Sequence, residues 1–458
     1  MSKKQQIVFV SRALWAGGAE KVVYDLVHAL DKERFEPHIV HLFEQKDIPI
    51  SFSPEISIHC IESIVHEVAA LEKSQSIETN ILASPKPYQG LLKAYRVSIN
   101  SVIRKYGKIK VWLRRFLKVS VVTNAFPSTE AKLSRQSVLN LSTSNWWPFV
   151  LGLQQILKNF RRDALLVPIM EEATVLVWLS QLLERRPYIA SLHSVESYNL
   201  PLMYPDAERL AVEAWMFSNA CRYAELVTVP SMGCRDDLVR NYNISHNHIR
   251  VVSNPVNVAL IQSKSQIPIM PLPSPNKTRF VYIGRLAEDK NPGLLIDAAY
   301  LLRERTDDFV VYYVGKGPLH GDLSSKIQKK GLQKHVFLLG ELPNPYPLMS
   351  NARSLVLTSR VESFALVIVE AMLCGAVPVS VDCPFGPGEI LDAGKYGILV
   401  PPDDSEGLAD AMWRIACDDD LYLGLQKLGL ERAQQYDISR ITLEWESIFT
   451  TLKRAENI

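Results

Sequence analysis

The sequence predicts a two-domain α/β protein in which each domain is a doubly wound, mostly parallel sheet. Short apolar runs typical of buried parallel strands alternate along most of the chain with helices of apolar period. A strand, a glycine and a helix open the chain at residues 6–29 and recur in the same order from residue 280, so the two halves share one architecture. Between them, the Pro- and Ser-rich residues 258–279 lack a hydrophobic period and predict an interdomain linker.

Composition limits the class of protein. With 458 residues the chain is long enough for two domains with full cores, and its 47% hydrophobic and 22% charged residues are ordinary for a globular protein. The net charge of +2 gives no general reason to expect nucleic-acid binding. Six cysteines without a C-x-x-C pair indicate free thiols in a reducing compartment. A strand begins almost at once and no apolar run reaches the roughly 18–20 residues of a membrane-spanning helix, so we expect a cytoplasmic protein.

The N-terminal domain is expected at residues 1–257. Gly17 and Gly18 follow its first strand at the start of a helix, where the backbone can approach a phosphate closely, although a glycine pair also suits a plain tight turn. His193 stands directly after an apolar run, at the carboxyl end of a strand that faces the expected cleft. A structural role for this histidine is the alternative. Further strands are predicted at residues 38–43, 57–61, 164–169, 187–194, 226–231 and 249–257.

One segment of this domain differs in character from the rest. No acidic residue occurs between Glu78 and Glu130, whereas ten lysines and arginines lie in residues 86–118 and alternate with aliphatic residues, Trp112 and Phe116. This is the composition of amphipathic helices that lie on an anionic membrane surface, and one solvated face of ordinary helices is the alternative. We therefore expect an insertion at about residues 62–150 that associates peripherally with the inner face of the cytoplasmic membrane.

The C-terminal domain is expected at residues 280–436. Its first strand ends at Gly284, and Arg285 and Lys290 bracket the loop that leads into the next helix. Two cations beside a helix N-terminus at the carboxyl end of a strand suit a diphosphate. A second strand runs into a glycine turn that contains Gly315, and a third strand leads into the loop of Glu341.

The stretch from residue 354 to residue 390 carries the strongest functional pattern. A buried-type strand leads into a loop with Glu362, and an apolar helix with Glu370 follows, so that seven residues separate the two acids. The backbone N–H groups of Phe364, Ala365 and Leu366 would open this helix unpaired, which suits an anion or a ligand with many hydroxyls. Paired carboxylates recognise neighbouring sugar hydroxyls by charge-assisted hydrogen bonds. Taken singly, Glu362 would only cap the helix and Glu370 would only be solvated.

These patterns together resemble the retaining glycosyltransferases of family 4. The matching strings are GGAEK at residues 17–21, GRLAEDKN at residues 284–291 and ESFALVIVE at residues 362–370. The resemblance covers both ends of the N-terminal domain and the C-terminal domain, but not residues 62–150. It implies the GT-B fold, in which two Rossmann-like domains face an interdomain cleft, with residues 437–458 packed back on the N-terminal domain. Ala365 departs from the family, which has glycine there.

The resemblance also implies a role for each site residue. Arg285 and Lys290 would stabilise a leaving diphosphate, Glu362 with the three N–H groups would hold the sugar, and His193 would contact the reaction centre. The donor would be a nucleotide-diphosphate sugar, and no metal or other cofactor would be needed. The remaining residues would line the donor nucleotide, with Glu370 on its ribose: Gly17, Gly18, Gly284, Gly315, Glu341 and Glu370.

The implied function is transfer of a hexose or an N-acetylhexosamine to a hydroxyl of a lipid-linked saccharide, as in the assembly of bacterial surface polysaccharides, with a UDP-sugar as the expected donor. The basic insertion favours a lipid-linked acceptor. Two alternatives stay open: a nucleotide-sugar epimerase of the same fold, and a non-catalytic protein that binds nucleotide sugars. An epimerase would need catalytic acids in both domains. A protein that had lost catalysis would be expected to lack one of the two cations or one of the glutamates.

Overall fold

The structure is a computed structural model, and it describes residues 3–13, 17–43, 52–64, 146, 148–268, 271–274 and 276–455. The basic segment at residues 86–118 and nearly all of the expected insertion at residues 62–150 lie outside the described residues. The contact of that segment with an anionic membrane surface therefore stays a prediction.

Seven described strands form the sheet of the N-terminal domain: β1 (Gln5–Ser11), β2 (Phe35–His41), β3 (Ser57–Cys60), β4 (Leu165–Pro168), β5 (Ile189–Ser191), β6 (Leu226–Val229) and β7 (Ile249–Val251). They pair in parallel as β3-β2-β1-β4 and β5-β6-β7. Isolated parallel bridges from Leu166 to Tyr188 and from Ile169 to Ser191 join β4 to β5. The strands thus form one continuous surface in the order 3-2-1-4-5-6-7.

Helices pack on this sheet, and local sequence sets their ends. Asp206 and Ser231 cap two of them with side-chain oxygens that accept hydrogen bonds from Arg209 N and Cys234 N. Asn243 ends the last helix in the left-handed conformation, which asparagine tolerates better than most residues. Besides a helical stretch at residues 61–64, the described helices of this domain are α1 (Gly18–Ala29), α2 (residues 148–157), α3 (Met170–Ser180), α4 (Glu196–Met203), α5 (Ala207–Tyr223) and α6 (Met232–Tyr242).

Six parallel strands form the sheet of the C-terminal domain: β8 (Thr278–Ile283), β9 (Phe309–Val314), β10 (Val336–Gly340), β11 (Ser354–Leu357), β12 (Val377–Val381) and β13 (Ile398–Val400). They pair in the order β10-β9-β8-β11-β12-β13. The helices from residue 258 onwards are α7 (Val258–Ser265), α8 (Pro292–Arg303), α9 (His320–Lys329), α10 (Tyr346–Ser350), α11 (Leu366–Cys374), α12 (Pro387–Ile390), α13 (Ser405–Cys417), α14 (Asp419–Ala433) and α15 (Ile438–Ala455). None of the helices in the described part of the chain is both long and apolar enough to span a membrane.

Both domains have the strand order 3-2-1-4-5-6 of a doubly wound fold, counted from the first strand of each. Ligands of such folds bind beyond the carboxyl ends of the strands where the order reverses. This point lies between β1 and β4 in one domain and between β8 and β11 in the other. The predicted α/β fold with two Rossmann-like domains is confirmed.

The expected linker at residues 258–279 is shorter in the structure, because its first part is the helix α7. Asn257 caps this helix by accepting a 2.9 Å hydrogen bond from Leu260 N. Val258 and Ile261, three positions apart, are buried in the core of the C-terminal domain. Two apolar residues are too few to show a period in the sequence, but their burial is enough to hold this segment on the domain.

The last helix, α15, packs on the N-terminal domain, so the chain crosses between the domains twice. The two crossings touch where Val256 N donates to Tyr436 O and Ile438 N donates to Val256 O, both at 2.9 Å. Four apolar residues of α15 at helical spacing are buried in the same core as β1 and α1: Ile441, Trp445, Ile448 and Phe449.

Candidate active site

The N-termini of two helices meet across the cleft between the domains. Helix α1 begins after Gly17, beyond the carboxyl end of β1, and α11 begins after Ala365, beyond the carboxyl end of β11. They are so close that a Cβ placed on Gly18 would lie 3.8 Å from the side chain of Leu366. Neither helix has a side-chain hydrogen bond from its N-cap residue to the N–H groups of its first turn. Their partial positive charges favour an anion here.

Arg285 and Lys290 lie in the loop that leaves β8 at the same edge of the sheet. Lys290 Nζ donates to Glu362 Oε1 at 2.7 Å, and Ser359 Oγ donates to the same oxygen at 2.7 Å. Arg285 pairs with Asp289 at 2.9 Å, but its side chain is 70% exposed, which leaves the guanidinium able to turn toward a ligand. Lys290 therefore lies against Glu362, and Asp289, 3.8 Å from Lys290 Nζ, links this pair to Arg285.

Backbone contacts join the two loops that carry these charged groups. Thr358 Oγ1 donates to Lys290 O at 2.9 Å, and Arg360 N donates to Asp289 O at 2.9 Å. The loop after β8 is thereby bound to the loop after β11 next to the pair of Lys290 and Glu362. The surrounding backbone, and not the ion pair alone, sets the position of both side chains.

Glycines let the strand ends approach one another at this edge. Gly315 has a φ of +139°, and a Cβ there would lie only 2.0 Å from the backbone oxygen of Gly284. Gly315 N donates to Gly340 O at 2.7 Å. Only glycine fits such a close approach of two loops at the strand ends, where a nucleotide would bind. Glu341 follows, exposed, with its carboxylate 2.8 Å from Lys316 Nζ.

Ala365 adopts a backbone conformation that favours glycine. Its φ of 72° and ψ of 62° lie in the left-handed region, at the N-cap of α11. Such a conformation costs an alanine roughly 1–2 kcal/mol. The neighbouring Phe364 is buried and packs edge-on against Tyr436, with ring centroids 5.3 Å apart. The departure from the family's glycine therefore falls at a position where glycine would relieve strain.

Glu370, on the second turn of α11, is bound by a residue of the other domain. Lys21 of α1 forms an ion pair with Glu370 Oε1, and Tyr346 OH donates to the same oxygen at 3.1 Å. Burial is the largest single influence and works to lower the pKa of Lys21, but Glu370, Tyr346 and Asp25 together outweigh burial and the pKa is raised. The sequence predicts Glu370 as a site residue, but it predicts neither Lys21 nor Tyr346. The GGAEK string ends at Lys21 and is the one sequence signal that could have found it.

His193 stands just beyond the carboxyl end of β5, with both ring nitrogens engaged. Nδ1 lies 2.9 Å from Asn254 Oδ1, and Nε2 lies 3.0 Å from Ser191 Oγ. Its main-chain oxygen accepts a 2.6 Å hydrogen bond from Ser363 Oγ, next to Glu362. Burial lowers the pKa of His193 to about 4, so the imidazole is neutral at pH 7. A fixed, neutral ring thus lies at the cleft, bonded to the loop of Glu362.

A second contact joins the domains at the N-terminus of α6. The two carboxylate oxygens of Glu389 accept hydrogen bonds from Met232 N and Gly233 N, both at 2.8 Å. Ser231 Oγ donates to Ser363 O at 2.7 Å. The glycine-rich sequence before Glu389 predicts a turn into a helix, but it gives no sign of this contact, because the partner lies in the other domain.

Four interacting glutamates of the N-terminal domain are withdrawn from water: Glu171, Glu172, Glu196 and Glu213. Burial raises the pKa of Glu171 and that of Glu213 to about 7 each. Burial and the nearby Glu171 raise the pKa of Glu196 as well. This group therefore carries less negative charge at pH 7 than four exposed glutamates would.

Within the described ranges, no three or more histidines, cysteines or carboxylates are arranged to hold a metal ion.

Two family models match the chain. A model described as Glycosyltransferase Family 4 matches residues 109–260, and one described as Glycosyl transferases group 1 matches residues 266–428. Together they cover more than half of the chain, including His193 and both loops of charged residues. The chain belongs to the family 4 glycosyltransferases. The first match begins at residue 109, so the expectation that the family resemblance fails over all of residues 62–150 was wrong for residues 109–150.

The relatives of this chain match only part of it. An uncharacterized glycosyltransferase of Methanocaldococcus jannaschii is 28% identical over 257 residues, which are 49% of this chain and 63% of that protein. The N-acetylgalactosamine-N,N'-diacetylbacillosaminyl-diphospho-undecaprenol 4-alpha-N-acetylgalactosaminyltransferase of Campylobacter jejuni is 28% identical over 219 residues, which are 48% of this chain and 58% of that protein. The chain thus spans less than two thirds of the length of these two relatives.

Solved structures show the GT-B fold. The crystal structure of Anabaena HepE in complex with UDP has a TM-score of 0.68 at 18% identity, and the match covers 98% of this chain and 100% of that chain. The crystal structure of TarM has a TM-score of 0.67 at 13% identity, with 98% and 99% of the two chains covered. At such identities the likeness concerns the fold alone.

Proposed function

We propose that the protein is a retaining glycosyltransferase that moves a hexose or an N-acetylhexosamine from a nucleotide-diphosphate sugar to an acceptor hydroxyl. The observation that carries the proposal is the meeting of two helix N-termini, at Gly18 and Leu366, at the sheet edge that also carries Arg285 and Lys290. Two helix ends and two cations suit a diphosphate, whose negative charge grows as it leaves the sugar. Membership of the family supports the same reaction.

In the proposed reaction the bond between the anomeric carbon and the diphosphate oxygen breaks, and its electron pair goes to the diphosphate. Arg285 and Lys290 stabilise this charge electrostatically. The acceptor hydroxyl attacks the anomeric carbon from the same face, so the configuration is retained, and its proton passes to the departing phosphate oxygen. The scheme uses no covalent nucleophile of the protein and assigns no metal or other cofactor.

Each carboxylate has one proposed ligand group. Lys290 and Ser359 both bind Oε1 of Glu362, which orients the carboxylate so that its other oxygen accepts from a sugar hydroxyl, beside the N–H groups that open α11. Glu370 accepts from the ribose hydroxyls, and Glu341 marks the loop that receives the base. Gly17 and Gly18 let the backbone of α1 approach the phosphates.

A lipid-linked saccharide is the proposed acceptor, with the protein at the cytoplasmic face of the membrane. The Campylobacter jejuni relative carries a diphospho-undecaprenol saccharide in its name, which supports an acceptor of this class. The basic composition of residues 86–118 supports contact with an anionic lipid surface. UDP is the proposed nucleotide, and its presence in the HepE structure supports this choice.

Release of nucleoside diphosphate tests the proposal. The full chain is incubated with UDP-, GDP- and ADP-sugars in the presence of EDTA, with and without a polyprenyl-diphosphate saccharide. We expect acceptor-dependent release of UDP that EDTA leaves unchanged and that Lys290→Met and Glu362→Gln each lower roughly a hundredfold or more. Lys334→Met is the matched control and should leave the rate unchanged, because Lys334 is an exposed lysine at the opposite, amino end of β10.

Other outcomes point to the two alternatives. Conversion of the donor sugar without any acceptor would favour an epimerase. Binding of a nucleotide sugar without turnover, for every donor and acceptor offered, would favour a non-catalytic binding protein. Release that depends on a divalent cation would contradict the metal-independent scheme while leaving glycosyl transfer in place.

A further inference from the structure

Lys21 and Glu370 form an ion pair that joins the two domains inside the candidate active site. Lys21 lies near the start of α1 in the N-terminal domain, and Glu370 lies on α11 in the C-terminal domain. Their side chains are 31% and 14% exposed, so the pair is largely withdrawn from water. Such a pair is screened less than one on the surface and holds its partners in a more definite geometry.

This pair fixes only one of the two oxygens of the Glu370 carboxylate. Lys21 Nζ and Tyr346 OH both bind Oε1. No hydrogen bond from the residues described in the structure reaches Oε2, and Oε2 is not among the buried atoms that lack a partner. The two hydrogen bonds to Oε1 therefore hold the carboxylate in one orientation, while Oε2 is open to a ligand.

A second carboxylate stands one helical turn beyond Lys21. Asp25 is only 7% exposed, and its Oδ2 is buried without a hydrogen-bond partner in the described chain. Two carboxylates thus flank a single ammonium group in a place where little water screens their charges. A ligand that donates hydroxyl hydrogens fits this surplus of negative charge better than another anion does. The paired hydroxyls of a ribose are such a ligand.

We propose that Lys21 is a positioning residue of the donor site, which binds Glu370 across the cleft and so orients this carboxylate toward the ribose hydroxyls of the nucleotide. The inference rests on the proposed function and extends it, because it makes the ribose site depend on the N-terminal domain. The donor site is then complete only when the two domains are together. By linkage, a bound nucleotide stabilises the closed arrangement by the same free energy that closure adds to its binding.

An ion pair that only holds the domains together is the alternative. Glu389 offers a matched comparison, because its bonds to Met232 N and Gly233 N also join the domains but do not touch Glu370. Loss of either contact would loosen the domains. Only the loss of Lys21 would change what Glu370 can recognise.

Nucleotide affinity of the full chain tests the proposal. Isothermal titration calorimetry first measures the Kd of UDP, GDP and ADP for the wild type. The nucleotide that binds most tightly is then compared with its 2′,3′-dideoxy analogue, which lacks the ribose hydroxyls. The same two ligands are then titrated into Lys21→Met, Lys21→Arg and Glu389→Gln. Methionine keeps the length and apolar stem of lysine without its charge, and arginine restores the charge. Should Lys21→Met fail to fold, Lys21→Gln takes its place.

We expect the wild type to bind the nucleotide roughly 10- to 100-fold more tightly than the dideoxy analogue, as charge-assisted hydrogen bonds allow. This ratio should fall close to one in Lys21→Met, return in part in Lys21→Arg and stay unchanged in Glu389→Gln. A ratio in Lys21→Met equal to that of the wild type would overturn the role of Lys21 and leave the proposed function standing. Failure of the wild type to bind any of the three nucleotides would overturn the proposed function and this inference with it.

Discussion

Ser363 Oγ donates a 2.6 Å hydrogen bond to the main-chain oxygen of His193 and so joins the two sides of the cleft. The main-chain oxygen of Ser363 in turn accepts from Ser231 Oγ at 2.7 Å. Because Ser363 directly follows Glu362, the loop of this carboxylate is bound to the N-terminal domain through both the hydroxyl and the main-chain oxygen of Ser363. Movement between the domains has to break these bonds or carry the loop along.

Replacing Ser363 by alanine tests this connection. The variant loses the bond to His193 but keeps the bond from Ser231. We expect kcat for glycosyl transfer to fall roughly five- to tenfold with the Kd of the nucleotide nearly unchanged, since a hydrogen bond of about 1 kcal/mol is lost from positioning and not from the nucleotide site. Steady-state kinetics and calorimetry measure the two constants. Ser325→Ala on exposed α9 is the control, and a loss of nucleotide affinity equal to the loss of kcat would contradict the prediction.

Ala365→Gly is expected to stabilise the C-terminal domain. Glycine adopts the left-handed conformation of this N-cap without strain, so the free energy of unfolding of the domain should rise by about 1 kcal/mol. Ala371→Gly is the matched control, because Ala371 lies within the same helix and glycine there should lower stability by about 1 kcal/mol. Urea unfolding followed by tryptophan fluorescence measures both changes. Changes of the same sign in the two variants would show that backbone strain at Ala365 is not the cause.

Gly233 allows the start of α6 to approach Phe385 of the other domain. A Cβ on Gly233 would lie 2.2 Å from the Phe385 ring, so Gly233→Ala must displace the ring or hold the domains apart. We expect roughly tenfold lower activity, because small displacements of reacting groups are costly, with both domains still folded. The double variant with Phe385→Ala should recover activity, since the space of the ring is then free. Small-angle scattering measures whether the domains are held apart, and an activity assay measures the loss and its recovery. A double variant no more active than the single one would rule out the steric cause.

Stability should depend on pH through Glu171. Burial raises its pKa to about 7, so folding favours the protonated form, and the stability that it contributes is present at pH 4 and is lost as the pH rises through 7. Glu171→Gln removes the charge that the fold must otherwise bury. We expect the free energy of unfolding of this variant to exceed that of the wild type by on the order of 2 kcal/mol at pH 8.5 and by little at pH 5. Urea unfolding at both values measures it, with exposed Glu208→Gln as control. A gain that is equal at the two pH values would contradict burial of the charge as the cause.

The elements of the C-terminal domain were predictable because their signals are local. Apolar residues at helical spacing after Ala365 and the glycine at position 375 predict the two ends of α11, and the structure has both. The apolar run VPVSV at residues 377–381 is typical of a buried strand, and β12 has these bounds. A strand buried on both faces reads as a continuous apolar run, and a glycine in the left-handed conformation ends the helix before it.

The contacts between the domains could not be predicted, because they join residues far apart in the chain. Lys21 and Glu370 are 349 positions apart, and Ser363 and His193 are 170 positions apart. Each residue fits a local pattern that says nothing about its partner. Helix α7 was missed for a different reason, since its few buried apolar residues are too few to form a visible period. The expectation for residues 86–118 rests on their composition alone, and their membrane contact stays a prediction.

The position of α15 reverses the order in which the two domains can finish folding during synthesis. Phe449 packs against Phe35 of β2, with ring centroids 5.9 Å apart, and its main-chain oxygen accepts a bond from Gln5, 444 positions earlier. At about 5–20 residues per second a ribosome needs roughly 20–90 s to make the chain between them. For that time the part of β1, β2 and α1 that α15 covers is open to chaperones or to self-association. The C-terminal domain gathers its sheet within residues 278–400, so the domain that is made second is able to close first.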